Sequence, residues 1–258
     1  MVFDADVKLG RSYKGTSFLA EDYLQVMEAM EIDRAMLLAE KPLSYRMAEG
    51  NDYIESVAAQ HPGRFYAAVR IDPWQGKEEA RAELRLRLQN PAVRAVYLNP
   101  WEENCPINSP TVHPVLECAA EYGVGVIVEA GYPWVSHVSQ IADAAKEYPT
   151  VRFLMTNAGQ LDLSGYTLTD VKYFMGRVPN LYLGTAAAVA AEWLAEMERT
   201  VAPGRVLFET NYPAFEPRLE RQRIELGYFT PQERQRIFCD NAEAFYARQE
   251  AACDENCH

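Results

Sequence analysis

The chain has 258 residues, 48% of them hydrophobic and 24% charged, with a formal net charge of −12. That is the make-up of an ordinary globular protein, and its acidic balance excludes the clustered Lys and Arg of a phosphate-binding surface, so no nucleic acid partner is expected. No apolar run is long enough to span a bilayer and the N-terminus lacks the basic-then-apolar plan of a signal peptide, so no membrane partner and a cytoplasmic location are expected.

Five cysteines, Cys105, Cys118, Cys239, Cys253 and Cys257, form an odd, scattered set that reads as reduced thiols. The last two share a short terminal stretch with His258 that lacks the spacing of a metal site. Residues 251–258 are expected to be a flexible tail. Arginines in 81–94 and 218–236 alternate with glutamates, the pattern of solvated helix faces.

Along the chain, short and nearly continuous apolar runs alternate with amphipathic helical runs. Strands are predicted over 2–6, 34–39, 64–71, 93–98, 124–129, 151–156, 180–185 and 205–210, for example RAMLLA at 34–39 and GVIV at 125–128. Runs apolar on both faces suit strands covered on both sides. Helices are predicted near 20–31, 50–61, 76–88, 111–122, 136–147, 167–176, 187–201, 217–226 and 231–249. Pro62-Gly63, Gly123 and Pro203-Gly204 supply stops, and Thr230, Pro231 and Glu233 read as a capping box with proline at the first helical position. Such alternation gives a parallel sheet with right-handed crossovers. Eight repeats over this length suit a closed (β/α)8 TIM barrel, read as a single domain over 1–250. An open doubly wound sheet is the alternative, weakened by the absence of a Gly-rich phosphate loop after the first strand.

In a barrel the reactive groups gather at the C-terminal strand ends. Alternation along the first strand puts Asp6 and Lys8 on one face. The later strands finish in Glu40 and Lys41, Arg70 and Asp72, Tyr97 and Asn99, Glu129, Asn157, Thr185, and Glu209 with Asn211.

Several of these stretches resemble the amidohydrolase-related family, the branch that includes aminocarboxymuconate semialdehyde decarboxylase and γ-resorcylate decarboxylase. FDADVKLG at 3–10 is similar to the family's opening D-x-H-x-H-x-G. Asn51-Asp52, Arg64-Phe65 and Asp72-Pro73 follow its next landmarks in order. VIVEAG at 126–131, MTNAGQ at 155–160, VLFETNYP at 206–213 and Asn241-Ala242 complete the series. The resemblance implies a metal-dependent-hydrolase type of barrel, hydrolase or lyase chemistry on a small molecule, and a homodimer.

The chain departs from the family at every metal position. Asp6 and Lys8 stand for the two histidines of the first strand, Glu129 and Asn157 for the later two, and Asn211 for the closing aspartate. Zn²⁺ takes imidazole, thiolate or carboxylate in a charge-matched cage, and an ammonium within it repels the ion. The expectation is therefore no metal and no cofactor, and an enzyme acting on a carboxylated or aromatic small-molecule substrate through Asp6, Lys8, Glu129, Asn157 and Asn211. Arg70, Tyr97 and His137 are the candidate substrate-binding residues. Lys8 reads first as an anion anchor or electrostatic stabiliser, then as a structural salt bridge, then as a Schiff-base nucleophile. Two other readings stand beside the enzyme. One is a non-catalytic binding or scaffold protein on the same fold. The other is a hard-cation site in which Asp6, Glu129 and the asparagine carbonyls offer oxygens to Mg²⁺ or Ca²⁺.

Overall fold

The computed structural model describes residues 1–160, 167–188 and 190–249. Its strands are β1 (Phe3–Arg11), β2 (Ser17–Phe18), β3 (Arg34–Ala39), β4 (Phe65–Arg70), β5 (Val93–Leu98), β6 (Gly125–Val128), β7 (Phe153–Met155), β8 (Leu181–Gly184) and β9 (Val206–Leu207). They bond in the order β2-β1-β3-β4-β5-β6-β7-β8-β9, with every pair parallel except β1 with β2. The ring then closes. Ala5 N donates to Phe208 O at 2.9 Å and Lys8 N donates to Tyr212 O at 2.8 Å. Val7 and Tyr212 also form a parallel bridge. The chain is a TIM barrel, and closure removes the open doubly wound alternative.

Helices cover the outside: α1 (Ala20–Ala29), α2 (Met47–Gln60), α3 (Lys77–Arg87), α4 (His113–Glu121), α5 (Val138–Glu147), α6 (Leu168–Met175), α7 (Ala191–Glu196), α8 (Pro217–Glu225) and α9 (Pro231–Gln235). A tenth, α10 (Asn241–Tyr246), sends Phe245 and Tyr246 into the cluster formed by Phe3, Met36, Tyr66, Ala95, Ile127 and Leu154 inside the barrel. A Cβ on Gly125 would lie 2.6 Å from the Phe245 ring, so only glycine lets this ring seat. Burying each such aromatic contributes roughly 1.5–3 kcal/mol. The capping box holds, with Glu233 N donating to Thr230 Oγ1 at 3.2 Å and Thr230 N donating to Glu233 Oε2 at 2.8 Å.

Several boundaries differ from the sequence reading. The first strand runs on to Arg11 because Gly10 (φ +123°) lets it turn into a hairpin with β2. The second helix starts at Met47, and π-helical turns end the helix predicted over 187–201 at Met197–Val201 and interrupt the one predicted over 231–249 at Arg236–Asp240. Cys105, Cys118 and Cys239 are buried free thiols. Cys253, Cys257 and the 251–258 tail lie outside the described residues. Among the described residues, no helix is long and apolar enough to cross a membrane.

Two landmark residues of the sequence act in the scaffold. Asn51 clamps β4 by accepting from Arg70 N and donating to Arg70 O, both at 2.9 Å. Asn241 donates to Val206 O at 2.7 Å, tying the final helix to β9.

Candidate functional site

A bulge in β1 sets up the site. Asp4 pairs with Ala35 and Val7 with Leu37, so Ala5 and Asp6 together oppose Met36. The extra residue turns Asp6 and Lys8 into the barrel and leaves Val7 and Leu9 in the outer core. Lys8 Nζ then lies 3.2 Å from Asp6 Oδ2, 3.0 Å from Glu129 Oε2 and 2.5 Å from Asn211 Oδ1. Two of its N–H groups donate to Asp6 and Asn211, and Glu129 pairs with it by charge.

The remaining strand ends extend the network. Tyr97 Oη donates to Glu129 Oε2 at 2.9 Å, and Asn157 Nδ2 donates to Glu129 Oε1 at 3.0 Å. Asn211 Nδ2 donates to Asn157 Oδ1. Asn157 (φ +58°) and Asn211 (φ +47°) are both left-handed, a conformation asparagine tolerates better than most non-glycine residues. Beneath them, Glu209 Oε1 accepts from Asn157 N at 2.6 Å. A Cβ on Gly184 would sit 1.9 Å from Glu209 Oε2, so glycine there makes room for this carboxyl.

Burial and charge fix the protonation states. Burial opposes the charged form of Lys8, but the Asp6 and Glu129 carboxylates outweigh it and raise the ammonium above the usual lysine range. Burial and then the Asp6 charge push Glu209 well above the carboxylate range. Burial and the Glu129 charge do the same for the Tyr97 phenol, which stays a donor. Lys8 is thus a fixed cation, and the third sequence reading, a neutral nucleophilic amine, does not match its surroundings.

The cluster forms the floor of a cavity of about 320 Å³ at the C-terminal mouth, to which the Lys8 side chain is 11% exposed. Trp101 and Tyr132, stacked at 4.9 Å and 7°, stand on its wall. Of the five residues proposed as catalytic, Lys8, Glu129 and Asn211 line the cavity with Tyr97, while Asp6 and Asn157 join the same cluster fully buried behind them. Arg70 lines the same cavity, but its Nη2 is held by Glu102 at 2.6 Å and Glu103 at 2.8 Å. His137 is elsewhere. It caps α5, its Nδ1 accepting from Ser139 N at 3.3 Å, and its Nε2 is 3.5 Å from Asp170. A local capping role, with Gln140 completing the box, placed that imidazole, and nothing in its loop position distinguished cap from mouth. Glu209 was visible only as one strand end among many. Glu102 and Lys14 sit on loops with no periodicity to mark them.

The donor set does not suit a divalent cation. The carboxyl groups of Asp6, Glu129 and Glu209 and two carboxamides make up the cluster, but the Lys8 ammonium, which has no lone pair to offer, already stands between Asp6 and Glu129 at 3.0–3.2 Å. Among the described residues, no three His, Cys, Asp or Glu side chains converge as a cation cage.

A pH dependence follows. Burial pushes Asp4 up to about 6 and, against the pull of Lys8, Asp6 up to about 7, from 3.8 in the unfolded chain. Between those values the folded state binds more protons than the unfolded one. Stability contributed by these groups therefore falls as pH rises from about 4 to about 7, by up to ~1.4 kcal/mol per pH unit for each. Urea unfolding across this window is expected to show the decline, and Asp6→Asn to flatten it. A slope unchanged in that variant would contradict the assignment.

Comparison of the sequence with curated proteins found no match. Among solved structures, 5-carboxyvanillate decarboxylase from Sphingomonas paucimobilis has a TM-score of 0.77 at 13% identity, over 95% of this chain and 98% of that one. The 2,6-dihydroxybenzoate decarboxylase from Rhizobium gives 0.78 at 14%, over 95% and 98%. A dihydroxybenzoic acid decarboxylase from Polaromonas sp. JS666, solved with manganese and the inhibitor 2-nitroresorcinol, gives 0.75 at 13%, over 95% and 96%. At such identities the similarity concerns the fold. The family is shown by the sequence itself, whose residues 5–248 match the amidohydrolase model. The chain, its polar cluster seated at the mouth of a closed barrel, belongs to the amidohydrolase family.

Proposed function

We propose that the protein is a metal-independent enzyme of the amidohydrolase fold, acting by hydrolysis or a lyase step such as decarboxylation on a small carboxylated or aromatic molecule. The observation that carries this reading is the Lys8 ammonium, held among Asp6, Glu129 and Asn211 on the floor of an aromatic-walled cavity. A fixed cation in a site largely closed to water stabilises negative charge developing on a substrate oxygen, work a divalent ion would otherwise do. Asn211 Oδ1 is the one uncharged acceptor on Lys8, so it is the contact a substrate oxygen displaces at least cost. Glu129 lines the cavity and is the carboxylate placed for proton transfer, with Tyr97 and Asn157 orienting it.

A second reading, a non-catalytic binding protein, is favoured by one observation: the Lys8 ammonium is already engaged by Asp6, Glu129 and Asn211 within the protein. The experiment is elemental analysis of protein purified without chelator, followed by a screen of aromatic carboxylates against wild type and Lys8→Met. Metal well below stoichiometric, with turnover lost in the variant, is expected. Stoichiometric zinc or manganese would overturn metal independence, and ligand binding without turnover would select the second reading.

A further inference from the structure

Glu102 holds an unusual position at the cavity wall. Its Oε1 lies 2.8 Å from Lys14 Nζ, in the hairpin between β1 and β2, and its Oε2 lies 2.6 Å from Arg70 Nη2 at the end of β4. One carboxylate thus bridges two cations contributed by separate elements, and all three residues line the cavity. Although burial opposes it, Arg70 and Lys14 hold this carboxyl below its usual range, so it is an anion. On the floor, Lys8 is already engaged by Asn211 and by two carboxylates, Asp6 and Glu129, which repel an incoming carboxylate.

The mechanical details suit exchange. The Glu102 backbone is pinned, its N–H donating to Asn99 Oδ1 at 3.1 Å and its carbonyl accepting from Lys41 Nζ at 2.7 Å. The carboxylate can therefore leave by side-chain rotation while the turn stays in place. Arg70 does not depend on Glu102 for its position, because Glu103 Oε1 at 2.8 Å and Ala39 O at 3.1 Å also hold it. Its buried Nε–H has no hydrogen-bond partner. The stacked Trp101 and Tyr132 rings stand on the wall of the same cavity, offering an aromatic ligand a flat apolar surface.

The geometry points to an anion subsite formed by Lys14 and Arg70, occupied in the free protein by the Glu102 carboxylate and taken over by the carboxylate of a small aromatic ligand. This rests on the proposed carboxylated ligand and adds where its charged group binds and what it must displace. Glu102 then competes with the ligand, lowering affinity for carboxylates while leaving neutral rings unaffected.

The test is calorimetric titration of wild type, Glu102→Ala and Glu102→Ala/Lys14→Ala with benzoate and with benzyl alcohol, in a buffer free of carboxylates. Glu102→Ala is expected to bind benzoate about tenfold more tightly, the worth of one charge-assisted hydrogen bond. Benzyl alcohol binding should not change, and the second substitution should remove much of the gain. Glu102→Gln, which keeps the size and loses the charge, is expected to shift affinity the same way if the alanine variant folds poorly. Benzoate bound equally by wild type and both single variants would overturn the displacement while leaving the carboxylate ligand standing. Benzoate bound by none of the proteins would overturn both.

Discussion

Lys8→Ala is expected to lower the unfolding free energy by about 3–5 kcal/mol near pH 8, the usual cost of removing one partner from a buried ion pair. The variant leaves the Asp6 and Glu129 carboxylates, both nearly or fully buried, without the cation that now stands 3.0–3.2 Å from each. Glu209, fully buried beneath them, adds to the imbalance. The folded-state proton affinities of Asp6 and Glu209, already raised by burial, rise further once the cation is gone, so the loss should shrink toward pH 5 and grow as pH rises. Urea unfolding at the two pH values reads this directly. A loss below about 1 kcal/mol, equal at both, is the behaviour of a surface pair and would mean that water reaches the cluster. A second variant separates charge from shape: Lys8→Met fills similar volume without the ammonium, and a comparable loss in it assigns the effect to charge.

Asp4→Ala is expected to cost about as much, through the barrel seam instead of the site. Asp4 Oδ2 accepts from Tyr23 Oη at 2.7 Å and Thr210 Oγ1 at 2.5 Å, and Oδ1 accepts from Thr210 N at 2.9 Å. One buried carboxyl therefore joins β1, α1 and the segment after β9. Removing it leaves four buried donors unpaired, counting Asp6 N, which donates to Oδ1 at 3.4 Å; the well-formed ones each cost roughly 1–3 kcal/mol. The expected total is about 3–5 kcal/mol, near the upper end for a single substitution. Hydrogen exchange locates the effect. The Ala5 and Lys8 amides, which bond across the seam to Phe208 and Tyr212, should lose protection before those within the β3–β4 ladder. A loss spread evenly over all strands, or within about 1 kcal/mol of wild type, would deny Asp4 this role. The consequence reaches the site because Lys8 N bonds across the same seam.

Much of this architecture was written locally. The runs at 34–39 and 93–98 are strands with the bounds their apolar composition predicts, and Thr230 with Glu233 caps a helix as their spacing requires. The order of alternation also brought Asp6, Lys8, Glu129, Asn157 and Asn211 together, because parallel strands in a closed ring must finish at one end. What the sequence could not give was how those groups satisfy one another. Lys8 and Asn211 are separated by 203 positions. Whether the ammonium keeps a free donor depends on closure at the seam and on a one-residue bulge that no periodicity announces. Arg70 reads as a substrate anchor because a cation at a strand end looks available, and what the sequence did not show is that the turn after β5 supplies Glu102 and Glu103 to it. His137 read as a mouth residue because its loop lies on the correct side, yet local geometry made it a cap. Hydrophobic periodicity is a property of near neighbours, and so it survives in the sequence. Saturation of a buried charge is a property of distances between strands, and only the folded barrel decides those.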